Sequence, residues 1–262
     1  MSETLIQYSA SDGIAVLEMT NPPANAYSHA MMLQLDAAIL KARFDASVHV
    51  LVIRGQGDKF FSAGADIRML SQAEPAFKYY FCLHANETLN RLEQTPKLVI
   101  AALNGHTVGG GLEIALAADI RIARRGAGRI GLPEVNLGVL PGTGGTQRLA
   151  RAVGKSRAIE LMASGETFSV ERAEALGLVN RIVDGEGFHG QVIDYARQFL
   201  PPARASMAVG RIKRSVQSGL ELSFQEALAL ERELQQQLFC SQDAAEGIEA
   251  HLQKRPASFK GR

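Results

Sequence analysis

Residues 104–119 read NGHTVGGGLEIALAAD. Three consecutive glycines, Gly109, Gly110 and Gly111, are followed by Glu113, a single acid among Leu112, Ile114, Ala115, Leu116, Ala117 and Ala118. The apolar neighbours predict burial, and a buried carboxylate is costly unless it is paired or has a task. Upstream, LVIAALNG (98–105) is a predicted buried strand, and downstream GLEIALAADI (111–120) is a predicted buried helix. The glycines therefore lie where a strand end meets a helix start, and free backbone N–H groups collect there at the positive end of the helix dipole. Glycine also admits another molecule close to that backbone. A plain tight turn remains an equal reading of the same residues.

A second loop has the same grammar. KFFSAGADIRML (59–70) follows the predicted strand VHVLVIRG (48–55) and places Ala63, Gly64 and Ala65 before Asp66, which opens a predicted helix. Asp66 suits an N-cap. Two strand-end loops, each offering one backbone N–H to the same oxygen, would form an oxyanion hole, at about 3–4 kcal/mol of transition-state stabilisation per donor.

A third stretch, GRIGLPEVNLGVLPGTGGTQRL (128–149), contains one acid, Glu134, again beside glycines. A lone buried glutamate can be an ion-pair partner. Two of them, Glu113 and Glu134, can instead divide acid and base work if their surroundings separate their pKa values. Other chemistries find little support. There is no G-x-G-x-x-G or P-loop lysine, no G-x-S-x-G, and no His-Glu-x-x-His or Cys-x-x-Cys, so no metal site is predicted. His106 beside a turn and Cys82 in YYFCLHA (79–85) both read as structural. The glycines of GTGGTQR (142–148) have no specific phosphate-binding spacing.

The 262 residues suffice for one large domain, and 46% apolar with 21% charged residues is ordinary for a soluble globular protein. A net charge of +1 offers no field for nucleic acid or an anionic membrane. The N-terminus has no signal-like pattern and no apolar run approaches a membrane span. Two distant cysteines, Cys82 and Cys240, predict no disulfide framework; a reducing, cytoplasmic setting is expected. Further strands are predicted at 13–20, 119–125 and 178–184. Helices are predicted over 28–46, with Ser28 as cap and Met32, Leu35, Ile39 and Ala42 as its apolar face, and over 169–177, capped by Ser169 and stopped by Gly177. Alternating strands and helices give an α/β fold. After Pro201-Pro202 the pattern becomes helical, with a capping box at Ser223 and Glu226 and a similar signal at Asp243 and Glu246.

Taken together these segments resemble the enoyl-CoA hydratase/isomerase (crotonase) family over essentially the whole chain. The resemblance rests on NPPANAYS (21–28), FFSAGADI (60–67), NGHTVGGGLEIALAADIRIA (104–123), GLPEVNLGVLPGTGGTQRL (131–149), SGETFSVERAEALGLVNRIV (164–183) and EGIEAHLQKRPASFKGR (246–262), in that order and spacing. It implies a crotonase-like α/β spiral of repeated ββα units over residues 1–200, which binds acyl-CoA. It also implies a C-terminal helical region, 201–262, that covers the active site and makes a homotrimer or a hexamer of paired trimers. It places the oxyanion-hole donors at Ala65 and Gly110, the catalytic carboxylates at Glu113 and Glu134, and a water-holding N–H at Gly142. Ala63, Ala65, Asp66 and Ile67 match a CoA-binding loop, with Lys260 as a further CoA contact.

The reaction so implied is hydration of trans-2-enoyl-CoA to 3-hydroxyacyl-CoA, with coenzyme A as part of the substrate and no separate cofactor. Which glutamate is acid and which is base stays open. An acyl-CoA isomerase or thioester hydrolase is the alternative within the family. RNA binding, which would need a basic stripe that this sequence lacks, is the alternative of another class. An idle assembly subunit is a third, opposed by retention of both carboxylates and both oxyanion positions. The sequence departs from the family at Tyr27, where leucine is usual, and at His106 and Thr107. Residues 68–82, with Phe77, Tyr79, Tyr80 and Phe81, border the expected acyl site as pocket wall or as core.

Overall fold

A computed structural model describes residues 3–262. In chain order the elements are β1 (Ile6–Ser11), β2 (Ile14–Met19), α1 (His29–Phe44), β3 (Val50–Gly55), β4 (Phe60–Ser62), α2 (Ile67–Gln72), α3 (Pro75–Glu93), β5 (Leu98–Leu103), β6 (His106–Val108), α4 (Gly110–Leu116), β7 (Ile120–Arg124) and β8 (Ile130–Gly131). A 3-10 helix, Glu134–Leu137, follows, then α5 (Gly145–Val153), α6 (Lys155–Ser164), β9 (Thr167–Phe168), α7 (Val170–Ala175), β10 (Arg181–Val183), α8 (Phe188–Arg197), α9 (Ser206–Gly219), α10 (Phe224–Phe239) and α11 (Gln242–Leu252).

The repeat is visible in the strand order. β3, β5 and β7 enter a six-stranded sheet ordered β1-β2-β3-β5-β7-β10, while their immediate successors β4, β6 and β8 enter a four-stranded sheet ordered β4-β6-β8-β9. Each turn of the chain therefore adds one strand to each sheet and then a helix. This is the ββα spiral that the resemblance implies. The sequence pattern passes directly from a strand ending at Gly105 to a helix; the structure inserts β6 between them. Three residues are too few for a periodicity signal, and β6 is a strand because β4 and β8 pair with it on either side.

β2, β3, β5 and β7 run parallel in register. Their apolar runs are continuous because both faces are covered. Leu51, Ile53, Val99, Ala101, Leu103 and Ala123 share one core with Met32, Leu35 and Ile39 of α1 and Leu89 of α3. The alternate residues Val50, Val52, Ile100, Ala102 and Ile122 pack against Phe188, Val192 and Ala196 of α8. The expected caps are present: the side chains of Ser28, Asp66, Ser169 and Ser223 accept from the backbone N–H groups of Met31, of Arg68 and Met69, of Arg172 and of Glu226. One cap is reassigned. α11 is capped by Ser241, and Asp243 instead turns inward, accepting from the Lys260 and Gly261 N–H groups at 2.7 Å each.

The C-terminal helices rest on the core through α9. The Lys213 ammonium meets Asp119 Oδ2 at 2.9 Å and also donates to the Lys97 carbonyl, with both charged side chains almost wholly buried. α10 packs on α9, leaving Ile212, Val216, Leu220, Phe224 and Phe239 exposed on this region.

Candidate active site

In a parallel sheet, sites form beyond the carboxyl ends of the strands. The loops after β3–β4 and β5–β6 lie there, and buried asparagines fasten them. Asn104 accepts from the Gly55 N–H and donates to the Phe60 carbonyl, while Asn25 donates to the carbonyls of Gln56 and Phe60. Ser62 donates to the Asn25 carbonyl, and its oxygen accepts from the Gly64 N–H.

Tyr27 forms a parallel bridge with Ala65. Its N–H donates to the Gly64 carbonyl and its own carbonyl accepts from the Asp66 N–H, each at 2.9 Å. The Ala65 N–H, between these two, makes no hydrogen bond among the described residues. Gly110 begins α4, so its N–H has no intrahelical acceptor either. The two loops touch. A Cβ placed on Gly64, whose φ is +90°, would stand 2.8 Å from the Gly110 nitrogen. A Cβ on Gly110 would stand 2.1 Å from the Tyr27 hydroxyl. Glycine at both positions is what lets the loops close to this distance.

Glu113, 2% exposed, projects from the first turn of α4 into the loop before α5. Its Oε1 accepts from the N–H groups of Thr143 at 2.8 Å and Gly145 at 2.6 Å, and its Oε2 accepts from the Thr143 hydroxyl. Burial raises its carboxyl above the usual range; the Thr143 and Gly145 bonds and the Arg148 guanidinium oppose that rise without cancelling it. Glu134 opens the 3-10 helix and has the opposite surroundings. Its Oε2 is buried without a hydrogen-bond partner among the described residues, and Oε1 lies 3.0 Å from where a Cβ on Gly109 would be. Burial, and secondarily the Glu113 charge, raise its pKa from 4.5 to about 7. Gly142 precedes Thr143; its carbonyl accepts from Asn86 of α3 at 3.1 Å, and its N–H makes no hydrogen bond among the described residues.

Ala65, Gly110, Glu113, Glu134 and Gly142 thus belong to one continuous network of contacts. Such a site can polarise a carbonyl oxygen with two N–H donors while two carboxyls with different hydrogen-bond surroundings handle protons. The chain belongs to the enoyl-CoA hydratase/isomerase family. A sequence model of that family, described as enoyl-CoA hydratase/isomerase, matches residues 9–262. A probable enoyl-CoA hydratase of Bacillus subtilis is 39% identical over 264 residues, 98% of each chain. The 2,3-dehydroadipyl-CoA hydratase of Escherichia coli is 37% identical over the full length of both. A crystal structure of an enoyl-CoA hydratase from Geobacillus kaustophilus superposes with a TM-score of 0.97 at 44% identity, covering 100% of this chain and 98% of that one. With membership come the crotonase fold and the enoyl-CoA hydratase class of enzyme. Among the described residues no helix is long and apolar enough to cross a membrane, and no cluster of three or more His, Cys, Asp or Glu is placed to hold a metal ion.

The remaining sequence candidates fall in three places. Ala63, Asp66 and Ile67 flank Ala65; the Asp66 carboxylate caps α2, and the Ile67 side chain is 52% exposed. Lys260 is not brought to this site within the chain. Its neighbour Gly261 abuts His49 and Ser206, and His49 immediately precedes β3, at the end of the sheet opposite the oxyanion loops. Of the aromatics in 68–82, Phe81 is core and lies 5.8 Å from the Tyr27 ring, whereas Tyr79 and Tyr80 face solvent. His106 is structural, its Nδ1 accepting from the Arg129 N–H and its ring packed on Phe60. Sequence reasoning gives no role to Thr143, Gly145 and Asn86. The GTGG stretch is visible, but its neighbour Glu113 lies thirty positions upstream of Thr143 and nothing local pairs them.

Proposed function

We propose that the protein adds water across the C2–C3 double bond of trans-2-enoyl-CoA to give 3-hydroxyacyl-CoA. The thioester oxygen sits between the Ala65 and Gly110 N–H groups, which stabilise the enolate charge that develops there. An ionised carboxylate has about four acceptor sites, and three donors already face Glu113. The remaining site takes the water proton, so Glu113 is the base. The oxygen of that water, held by the Gly142 N–H, bonds to C3, and the π electrons move toward the thioester oxygen. Glu134 is neutral up to about pH 7 and has an O–H to give. It protonates C2, and the enolate collapses to the thioester. Net, C3 gains OH and C2 gains H, and a proton passes from Glu113 back to Glu134 before the next turnover. Coenzyme A enters as part of the substrate, and residues of this chain carry each proton.

The carrying observation is the contrast between a carboxylate with three donors and a carboxyl with one orphaned oxygen. Ala63 and Ile67 offer apolar surface beside Ala65 for the adenine. Lys260 serves CoA bound to another copy, in a homotrimer or hexamer that covers the exposed apolar residues of α9 and α10. The unpaired cysteines suit a reducing cytoplasm.

The test is incubation with crotonyl-CoA, following loss of enoyl absorbance and separating the products. Formation of 3-hydroxybutyryl-CoA, abolished by Glu113→Gln and by Glu134→Gln, is the expected result. Release of free CoA without a hydroxyacyl product would make the enzyme a thioester hydrolase, and full turnover by either variant would remove the two-glutamate mechanism.

A further inference from the structure

Tyr27 is fully buried. Its backbone bridges Ala65 and its ring lies against Gly110, so both proposed oxyanion donors lean on it. Its hydroxyl stands 3.3 Å from Thr143 Oγ1, and Thr143 Oγ1 bonds Glu113 Oε2. A threonine hydroxyl has one proton and two lone pairs, whereas an ionised carboxylate only accepts. With Glu113 ionised, as its role as base requires, the Thr143 proton is committed to Glu113 and Tyr27 donates to Thr143.

We propose that Tyr27 and Thr143 are positioning residues that act in series, Tyr27 on Thr143 and Thr143 on Glu113, to hold Glu113 ionised and turned for proton abstraction. This rests on Glu113 being the base. Two observations and one general rule support it. The Thr143 bond is one of three fixing the carboxylate, and it alone touches Oε2. Bonds to an ionised acceptor are roughly twice as strong as neutral ones, so the arrangement favours the charged form. Tyr27 has no second polar task for its hydroxyl among the described residues, yet it is buried beside two carboxyls. The charged or titratable groups facing this cluster are Arg148 of α5, Cys82 of α3 and Glu134. Arg148 favours the Glu113 charge; Cys82 takes a raised pKa from its burial and, second, from Glu113.

The experiment measures the pH dependence of kcat/KM with crotonyl-CoA for the parent, Tyr27→Phe, Thr143→Ala and Thr143→Ser. In parallel, the Glu113 carboxyl is titrated by 13C NMR in protein labelled at glutamate, assigned with Glu113→Gln. Removing the Thr143 oxygen moves the acid limb, and the Glu113 titration, upward by roughly one pH unit, a ten-fold loss of rate below the limb. Tyr27→Phe keeps the ring against Phe81 and Gly110 and moves both in the same direction by less. Thr143→Ser restores the parent values. A residue that merely fills space would lower stability and leave the titration where it was.

An unmoved Glu113 titration in either Thr143→Ala or Tyr27→Phe overturns the proposal, as does a serine variant that behaves like alanine. If the parent hydrates no enoyl-CoA, the functional reading falls, and the NMR titration still decides the relay. Should Tyr27→Phe fail to fold, the threonine variants give the answer alone.

Discussion

Replacing Glu134 by glutamine should abolish turnover and yet stabilise the protein progressively as pH rises. In the folded chain burial holds this carboxyl at about 7 against an ordinary 4.5. The unfolded chain releases the proton near 4.5. Between the two values the folded state binds more protons, so stability falls as pH rises; the penalty is absent well below 4.5 and complete above 7. A rise of about 2.5 units corresponds to roughly 3.4 kcal/mol at 1.36 kcal/mol per unit. The side chain is only partly shielded, and solvent screening reduces this to about 1–2 kcal/mol. Glutamine has no such titration. It also places an amide where Oε2 has no partner, a cost that does not vary with pH. The readout is therefore the pH dependence of the difference between variant and parent, and not its absolute value. Thermal or urea unfolding of both proteins at pH 4.5 and pH 8, at one protein concentration, should show the variant gaining about 1–2 kcal/mol over this interval, roughly 2–8 °C in Tm. A difference that is flat with pH, or that shrinks as pH rises, refutes the claim that Glu134 is held protonated.

The same group predicts that kcat/KM falls as pH rises through about 7, where Glu134 loses its proton; a plateau from pH 6 to 9 would contradict its role as the acid. In Gly110→Ala the new Cβ would sit 2.1 Å from the Tyr27 hydroxyl and 2.5 Å from Cε1, so the ring or the helix start must move; kcat should drop about 10²–10³-fold while far-ultraviolet circular dichroism is retained. Lys213→Ala leaves Asp119 buried with the Val99 N–H and Gln217 as its side-chain hydrogen-bond partners among the described residues and the Arg121 charge nearby, and urea unfolding should show a loss of about 3 kcal/mol, against less than about 1 if the pair is incidental.

Much of the proposed site is legible in the sequence because its chemistry would be carried by rare residue types in short contexts. Acids isolated in apolar runs, as at Glu113 and Glu134, are conspicuous because burial of charge is costly. Glycines at strand ends mark where backbone N–H groups are left free, which locates Gly110 and the Ala65 loop. Caps at Ser28, Asp66, Ser169 and Ser223 are local, set by a side chain and a backbone group two or three residues apart, and so can be read directly. Asp243 shows the limit of that reasoning: it fits a cap signal, but Ser241 two positions earlier fits too, and the returning C-terminal segment claims the carboxylate.

Sequence by itself determined the alternation of strands and helices, the family and the two carboxyl residues, since these depend on periodicity and on residue chemistry within one segment. Tertiary structure decided the surroundings of each carboxyl. Glu113 becomes a fixed acceptor because the Thr143–Gly145 loop, thirty residues away, folds its N–H groups onto it, and Glu134 takes a raised pKa because packing buries it, with Oε2 lacking a hydrogen-bond partner among the described residues. It also decided that Tyr27 faces inward and that Lys260 lies at the far end of the sheet from the site in its own chain. Burial and hydrogen-bond partners are properties of the packed chain. They shift the energy of a charge by far more than the identity of its neighbours in sequence can.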